Sequence, residues 1–192
     1  TPPVTPTLSD VTGECSATAL VPTTTDACSG TISGTTSDPL SYATQGIHVI
    51  TWNFDDGNGN SINVSQNVII KDITVPETPV LADLSGECSV TATAPETTDA
   101  CAGTITATTS DPLTYSTVGS HMINWNFDDG NGNSINVSQN VLITDNTAPE
   151  VPILEDLSAE CSLSVISPST TDVCAGTIAG TTSDPLEYSE QG

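Results

Sequence analysis

Cysteine is the residue type whose spacing in this sequence most directly indicates chemistry. The six cysteines form three pairs, the members of each pair are 13 residues apart, and the pairs recur every 73 residues. In chain order they are Cys15, Cys28, Cys88, Cys101, Cys161 and Cys174. Cysteines at a fixed spacing in a small, loop-rich unit are typical of disulfides in oxidising, extracellular compartments.

The repeat favours one set of disulfides. Translational symmetry makes each pair complete within its own copy of the repeat, because even the last copy keeps both of its cysteines. The expected bonds are Cys15–Cys28, Cys88–Cys101 and Cys161–Cys174. Closing a loop of about 14 residues would stabilise each unit by roughly 3 kcal/mol in the chain-entropy model. A zinc site is disfavoured, because the sequence has no CxxC motif and one histidine in each full copy.

The acidic segment DDGNGN, residues 55–60, is a second candidate site and recurs at residues 128–133. Its Asp-x-Asn-x-Asn part matches the first half of an EF-hand loop. However, Ser61 and Asn67 stand where that loop has Gly and its bidentate Glu. The segment is therefore not an EF-hand, and two interpretations stay open. It is either a tight turn in which Asn-Gly supplies left-handed conformations, or a calcium site of another type.

If calcium binds, we expect it at or near the joints between copies. Asp72 and Asp145 stand just before the Pro-rich runs that open the next copy, and the loops of a β-sandwich gather at its ends. Carboxylates gathered there repel one another unless a cation lies between them. The candidate ligands are Asp55, Asp56, Asn58, Asn60 and Asp72, with their counterparts Asp128, Asp129, Asn131, Asn133 and Asp145. No cofactor is required, and calcium is the one candidate.

Catalysis is not expected. The sequence contains no nucleophile elbow, zinc-protease motif or phosphate-binding loop. Asp55 and Asp56 could be drawn as an acid–base pair, but the same two residues recur in each full copy, and catalytic sites seldom tile along an array. The histidines His48 and His121 fall on predicted strands, where they are ordinary strand residues.

The repeat divides the chain into domains. Residues 52–68 recur without change at residues 125–141, and the 73-residue period predicts two full copies, 1–73 and 74–146. A third copy, 147–192, stops before the Trp-Phe segment of the other two. Each copy opens with a Pro-rich run that predicts a stiff linker. The ends fall within the array, so we expect a piece of a longer secreted chain.

The Trp-Phe segment predicts a β-hairpin. His48, Ile50, Trp52 and Phe54 alternate with polar or smaller residues, which is the period of a half-buried strand. A second apolar alternation follows the DDGNGN turn, interrupted by Gln66. Six or seven short strands per copy, with no helical period, predict an all-β fold of tandem immunoglobulin-like β-sandwich domains. One short-loop disulfide should staple each thin core.

The charge excludes several classes of partner. The chain carries 24 acidic residues and one basic residue, for a net charge of −23. Nothing in it could neutralise nucleic-acid phosphates or an anionic membrane surface. No stretch has the roughly 18–20 apolar residues of a membrane span, so we expect neither nucleic-acid binding nor direct insertion into a membrane.

The cysteine spacing, the segment DPLTY and the turn DDGNGN together resemble the hyalin-like (HYR-type) repeats of Bacteroidetes surface adhesins, over the whole chain. Arrays of such repeats are similar to those of the flavobacterial gliding-motility adhesin, which is exported by the type IX secretion system and displayed as a surface filament. The resemblance implies immunoglobulin-like domains with a stalk or adhesive role, and it gives no catalytic residues to transfer.

The expected function is that of a structural and adhesive repeat segment in a large cell-surface filament. Its partners would be the neighbouring repeats of the same chain and the substratum. The alternative is a module that binds a surface polysaccharide. It is disfavoured because sugar platforms need exposed aromatic faces, whereas Trp52, Phe54 and Tyr42 are predicted to lie in the core.

Overall fold

The computed structural model describes residues 1–189, which form strands and loops without a helix. The first copy of the repeat contributes seven strands: β1 Val11–Gly13, β2 Ala17–Thr18, β3 Thr23–Asp26, β4 Gly30–Ser33, β5 Ser41–Tyr42, β6 Gly46–Asp55 and β7 Ser61–Ile70. The second contributes another seven: β8 Leu84–Glu87, β9 Val90–Thr91, β10 Glu96–Asp99, β11 Gly103–Thr106, β12 Thr114–Tyr115, β13 Gly119–Asp128 and β14 Ser134–Thr144. The third contributes β15 Leu163–Ser164, β16 Ser169–Asp172, β17 Gly176–Ala179 and β18 Glu187–Tyr188.

The chain folds into two compact units that do not coincide with the 73-residue copies. The first unit contains residues 1–81, 94–109 and 124–137, and the second contains residues 82–93, 110–123 and those from Ser138 onward. The second copy of the repeat thus contributes to both units. The repeat period and the compact units are different divisions of the same chain.

The predicted hairpin is the largest element of the first copy. β6 and β7 pair antiparallel over ten residues, with Trp52 opposite Val64 and Phe54 opposite Ile62. Ile50, Trp52 and Phe54 are at most 1% exposed, while Thr51 between them is exposed. The observed pairing and burial therefore confirm both the predicted hairpin and the face that it buries.

Gln66 interrupts the apolar face of β7 for a physical reason. Its Oε1 accepts a hydrogen bond from the indole Nε1 of Trp52 at 2.9 Å, and its Nε2 donates to the carbonyl of Ser9 at 2.9 Å. A buried tryptophan needs a partner for its single N–H group. The polar residue completes the core instead of weakening it.

Each repeat has two different ends, which are separated by the length of β7. At one end β1 runs parallel to β7 with Gly13 opposite Ile70, and we call this the tail end. At the other end the β3–β4 turn meets the turn of the large hairpin, where Ser29 Oγ donates to the carbonyl of Asp56 at 2.9 Å; this is the head end. Ten residues of strand separate the two ends, or about 30 Å.

The Pro-rich segments are packed against their own copies and are not free linkers. Glu77 N donates to the carbonyl of Thr98 on β10 at 2.9 Å, and Val4 N donates to the carbonyl of Thr25 on β3 at 2.9 Å. Pro76 is among the fully buried side chains. Proline lacks a backbone donor, so the residues beside it make these bonds.

The all-β prediction is confirmed, and the small two- and three-stranded sheets are consistent with a β-sandwich. The three-stranded sheets have the orders β1-β7-β6 and β13-β14-β8. In both, a short strand pairs parallel with the second strand of the long hairpin. Within residues 1–189 there is no helix with the length and apolarity that a membrane span requires.

Candidate functional site at the repeat boundary

The disulfides join successive copies of the repeat, and the predicted pairing within each copy is wrong. Cys15 is bonded to Cys101 and Cys88 to Cys174, each with a sequence separation of 86 and a Cα–Cα distance of 4.8 Å. The expected bonds Cys15–Cys28, Cys88–Cys101 and Cys161–Cys174 do not form. Each copy therefore has no short-loop disulfide of its own.

Cys15 and Cys28 do not bond to each other because they lie at opposite ends of the repeat. Cys15 follows β1 at the tail end, close to Gly13, whose carbonyl accepts from Lys71 N at 3.0 Å. Cys28 lies in the β3–β4 turn at the head end, beside Ser29. The ends are about 30 Å apart along β7, while a disulfide needs Cα atoms about 4.4–6.8 Å apart. Thirteen residues of sequence span the whole length of the repeat.

The tail cysteine of one copy thus meets the head cysteine of the next. This register leaves Cys28 and Cys161 as free, exposed thiols. Cys28 is a head cysteine, like Cys101 and Cys174, and Cys161 is a tail cysteine, like Cys15 and Cys88. A head-to-tail contact of this kind uses two different surfaces of the same repeat.

Hydrogen bonds accompany the disulfides at both boundaries. Thr74 Oγ1 donates to Glu14 Oε2 at 2.5 Å, next to Cys15. At the second boundary, Thr147 Oγ1 donates to Glu87 Oε1, next to Cys88. The same residue types therefore hold the first residue of one copy to the tail of the copy before it.

Asp72 is buried at the first boundary by the hairpin turn of the following copy. It is 3% exposed, and its Oδ2 accepts from Asn131 Nδ2 at 3.1 Å. Its backbone carbonyl accepts from Asn133 Nδ2 at 3.4 Å, while Thr74 N donates to its Oδ1 at 3.1 Å. The structure thus brings Asp72 to residues 128–133 of the next copy, not to residues 55–60 of its own.

Asp129 organises that turn from within. It is 8% exposed, and its Oδ1 accepts from the backbone N–H groups of Asn131 at 2.7 Å and Asn133 at 3.0 Å. Its Oδ2 accepts from Asn133 Nδ2 at 2.7 Å. Burial opposes its ionisation, but these hydrogen bonds and one from the Gly132 backbone outweigh burial and lower the pKa of Asp129.

Asp99 is the third buried carboxylate at this boundary. It is 7% exposed, and its Oδ1 accepts from the backbone N–H groups of Cys101 at 2.8 Å and Ala102 at 2.9 Å. Its buried Oδ2 has no hydrogen-bond partner among the described residues. A carboxylate oxygen of Asp72, one of Asp99 and Cys101 Sγ all lie within 4.8 Å of one another. The sulfur is part of the disulfide, so the two carboxylates are the available ligands.

The remaining predicted ligands lie elsewhere. Asp55 and Asp128 are exposed, and each accepts from a turn glycine, Gly57 N at 2.7 Å and Gly130 N at 2.8 Å. They shape the turns and are not among the groups around Asp72. Glycine is required at both donors, since Gly57 and Gly130 have φ of 72° and 76°.

The first hairpin turn has the same internal bonds without a carboxylate from a preceding copy. Asp56 Oδ2 accepts from Asn60 Nδ2 at 2.7 Å and its Oδ1 from Asn58 N at 2.8 Å. The side-chain bond from Asn60, followed by the backbone bond from Asn58, lowers the pKa of Asp56. Asn58 Nδ2 donates to Ser29 Oγ at 3.1 Å, where its counterpart Asn131 donates to Asp72.

Asp145, the counterpart of Asp72, is exposed and lies near Glu87 and Cys174. No DDGNGN segment covers it among residues 1–189. Asp99 was absent from the predicted ligands. The signal for it was an aspartate two residues before every head cysteine, at Asp26, Asp99 and Asp172.

The arrangement brings together oxygen donors from two copies of the repeat. A comparison with protein-family models found no match, and a comparison with curated proteins found none either.

Proposed function

We propose that this chain is a structural and adhesive repeat segment of a large, secreted cell-surface filament built from tandem immunoglobulin-like domains. The observation that carries the proposal is the pair of tail-to-head disulfides, Cys15–Cys101 and Cys88–Cys174. Disulfides are typical of oxidising compartments, which supports an extracellular location. The resemblance to HYR-type repeats of gliding-motility adhesins suggests that type IX secretion exports the filament.

The disulfides shorten the covalent path that would carry a pulling force. A path entering at Cys15 crosses to Cys101, returns along the backbone to Cys88 and crosses to Cys174. The only backbone in this path is the 13-residue stretch between Cys88 and Cys101. The other residues between Cys15 and Cys174 lie in loops that the disulfides bypass.

This path limits how far the segment extends. Fully stretched residues span about 3.5 Å each, so the path from Cys15 to Cys174 reaches about 55 Å with both disulfides intact. The same segment without disulfides reaches about 550 Å. A filament with this bonding transmits force without unravelling its domains, which is what a surface stalk under traction requires.

The position of the aromatic residues supports a structural role over the alternative, a polysaccharide-binding module. Trp52, Phe54, Trp125 and Phe127 are at most 1% exposed. Tyr42 is half-buried and stacks on His48 with ring centroids 4.4 Å apart. These rings build the core and are not available as a sugar platform, and the adhesive contact is to other repeats and the substratum.

Single-molecule stretching of the full chain, held at its two ends, tests the proposal. Reduction should lengthen the fully stretched chain by about 500 Å, and the double variant Cys15→Ser, Cys88→Ser should show that length without reductant. Disulfides within each copy would release only about 120 Å. A gain in stretched length as small as this on reduction would therefore contradict the structural role. Specific binding in a glycan-array screen would favour the polysaccharide module instead.

A further inference from the structure

Three buried carboxylates lie at the first repeat boundary, and none of them has a lysine or arginine partner among the described residues. Asp72, Asp99 and Asp129 are 3%, 7% and 8% exposed. Lys71 is the only lysine or arginine of the chain, and it is exposed on the strand end where its neighbours Ile70 and Asp72 are buried. Buried charges are normally paired or bound to a metal ion, and no basic residue is available for pairing here.

The orientation of Asp99 is the independent observation that points to a ligand. Its Oδ2 is buried and has no partner among the described residues, although its Oδ1 accepts two backbone hydrogen bonds. A buried oxygen without a donor loses the hydration that it has in the unfolded chain. A carboxylate oxygen of Asp72 lies within 4.8 Å of one of Asp99, which adds repulsion unless a cation lies between them.

The distances suit calcium. Oxygens bound to one calcium ion at about 2.3–2.6 Å can lie up to about 5 Å apart, so one ion can touch both Asp72 and Asp99. The side-chain amide of Asn131 already approaches the carboxylate of Asp72. Rotation of this amide by half a turn exchanges its nitrogen for its oxygen, which converts the donor into a ligand.

We propose that a calcium ion binds at this boundary, held by Asp72 of one copy and by Asp99 and Asn131 of the next. The donor set is all oxygen and carries two negative charges, which favours a hard divalent cation. A mixture of carboxylate and amide oxygens is a flexible ligand set that calcium accepts, whereas magnesium demands a near-ideal octahedron.

The site lies beside the Cys15–Cys101 disulfide and ties the same two copies of the repeat together. It goes beyond the proposed function, because the ion would bind whether or not the chain belongs to a surface filament. Its chemistry is also independent of the disulfide, since Cys101 Sγ is not a ligand. Calcium binding and covalent bonding can therefore be tested separately.

The test is calcium titration of the full chain, with calorimetry and thermal unfolding, in about 150 mM potassium chloride to screen diffuse binding to the acidic surface. We expect one tightly bound calcium per chain and a melting temperature that rises with calcium concentration. Magnesium at the same concentration should produce a much smaller rise. Absence of a saturable site, or an equal response to magnesium, would overturn the proposal.

Asp99→Asn is the decisive variant, because it keeps the Oδ1 acceptor of the turn and places a donor next to Asp72. It should fold, melt at or above the wild-type temperature in chelator, and bind calcium at least about tenfold more weakly. Asp172→Asn is its matched control, since Asp172 Oδ1 accepts the same backbone bonds from Cys174 and Ala175. That variant should keep the wild-type calcium response. Equal losses in the two variants would mean diffuse binding and would contradict the site.

Discussion

Asp72 and Asp145 occupy the same position one repeat apart, and both follow the strand that ends their copy. Asp72 is 3% exposed, whereas Asp145 is exposed. The boundaries share a tail-to-head disulfide and a threonine bonded to a tail glutamate. They differ in the hairpin turn, because residues 128–133 cover Asp72 and no such turn covers Asp145 among residues 1–189.

This difference shows which part of the boundary is intrinsic to a copy and which part its neighbour supplies. The disulfide and the threonine–glutamate bond need only the first half of the next copy. Burial of the tail aspartate needs the large hairpin as well. The tail aspartate is therefore an ordinary surface acid until the head of a complete copy meets it.

The largest expected effect comes from the disulfide that both boundaries share. Cys15→Ser should destabilise the first unit by about 4–5 kcal/mol in the chain-entropy model, because the lost bond closes a loop of about 86 residues. Cys28→Ser, in the same copy, should leave stability unchanged, since Cys28 is a free thiol. Denaturant unfolding measures both. Equal destabilisation by the two variants would instead support a disulfide between Cys15 and Cys28.

Removing the hairpin core should make the first boundary resemble the second. Trp125 is 1% exposed, and Trp125→Ala should cost about 3–5 kcal/mol and uncover Asp72. Met122→Ala, on the same strand but 53% exposed, is the control and should be nearly neutral. Hydrogen exchange at the Thr74 amide, which donates to Asp72, reports the change. Unchanged protection in the tryptophan variant would mean that the hairpin does not cover Asp72.

A smaller loss of stability should come from removing the contact between the hairpin turn and the tail aspartate, Asp72. Asn131→Ala removes a hydrogen bond to a buried carboxylate, whereas Asn58→Ala removes a bond to the Ser29 hydroxyl at the same turn position. Bonds to charged groups contribute more than bonds to neutral ones, so Asn131→Ala should cost about 1 kcal/mol more. Identical unfolding free energies would show that the covered boundary gains nothing from this contact.

The smallest expected effect is on the dependence of stability on acidic pH. Hydrogen bonds within the turn lower the pKa of Asp129 below its ordinary value of 3.8, despite the opposing effect of burial. The unfolded chain therefore takes up the proton first, and the stabilisation is complete above about pH 4 and lost as the pH falls through the folded pKa. In chelator, Asp129→Asn should flatten the fall in stability below pH 4. An unchanged acid slope would contradict this assignment.

The sequence was sufficient for the elements that depend on local alternation and turn chemistry. The period of two around Trp52 and the glycines of DDGNGN predict the hairpin, its buried face and its turn, because these are properties of neighbouring residues. Gln66 looked like a defect in that pattern. Its role became clear only with the structure, because its partner Trp52 lies on the opposite strand.

The cysteine pairing could not be read from spacing alone. Thirteen residues look like a short loop, yet Cys15 and Cys28 lie at opposite ends of a ten-residue strand, and one-dimensional separation does not show this. Repeat symmetry was satisfied equally by bonds across 13 residues and by bonds across 86. The sequence also could not show which DDGNGN turn meets Asp72, whose neighbours come from the next copy, and Asp99 was not among the candidate ligands.

Disulfide mapping of the non-reduced chain tests the head-to-tail boundary most directly. The chain should be alkylated at acidic pH, to prevent exchange, and cleaved at its acidic residues, because Asp26 and Asp99 separate the cysteines of the two full copies. The structure predicts the linked peptides Cys15–Cys101 and Cys88–Cys174, with two alkylated thiols at Cys28 and Cys161. Linked peptides Cys15–Cys28, Cys88–Cys101 and Cys161–Cys174, with no free thiol, would contradict it.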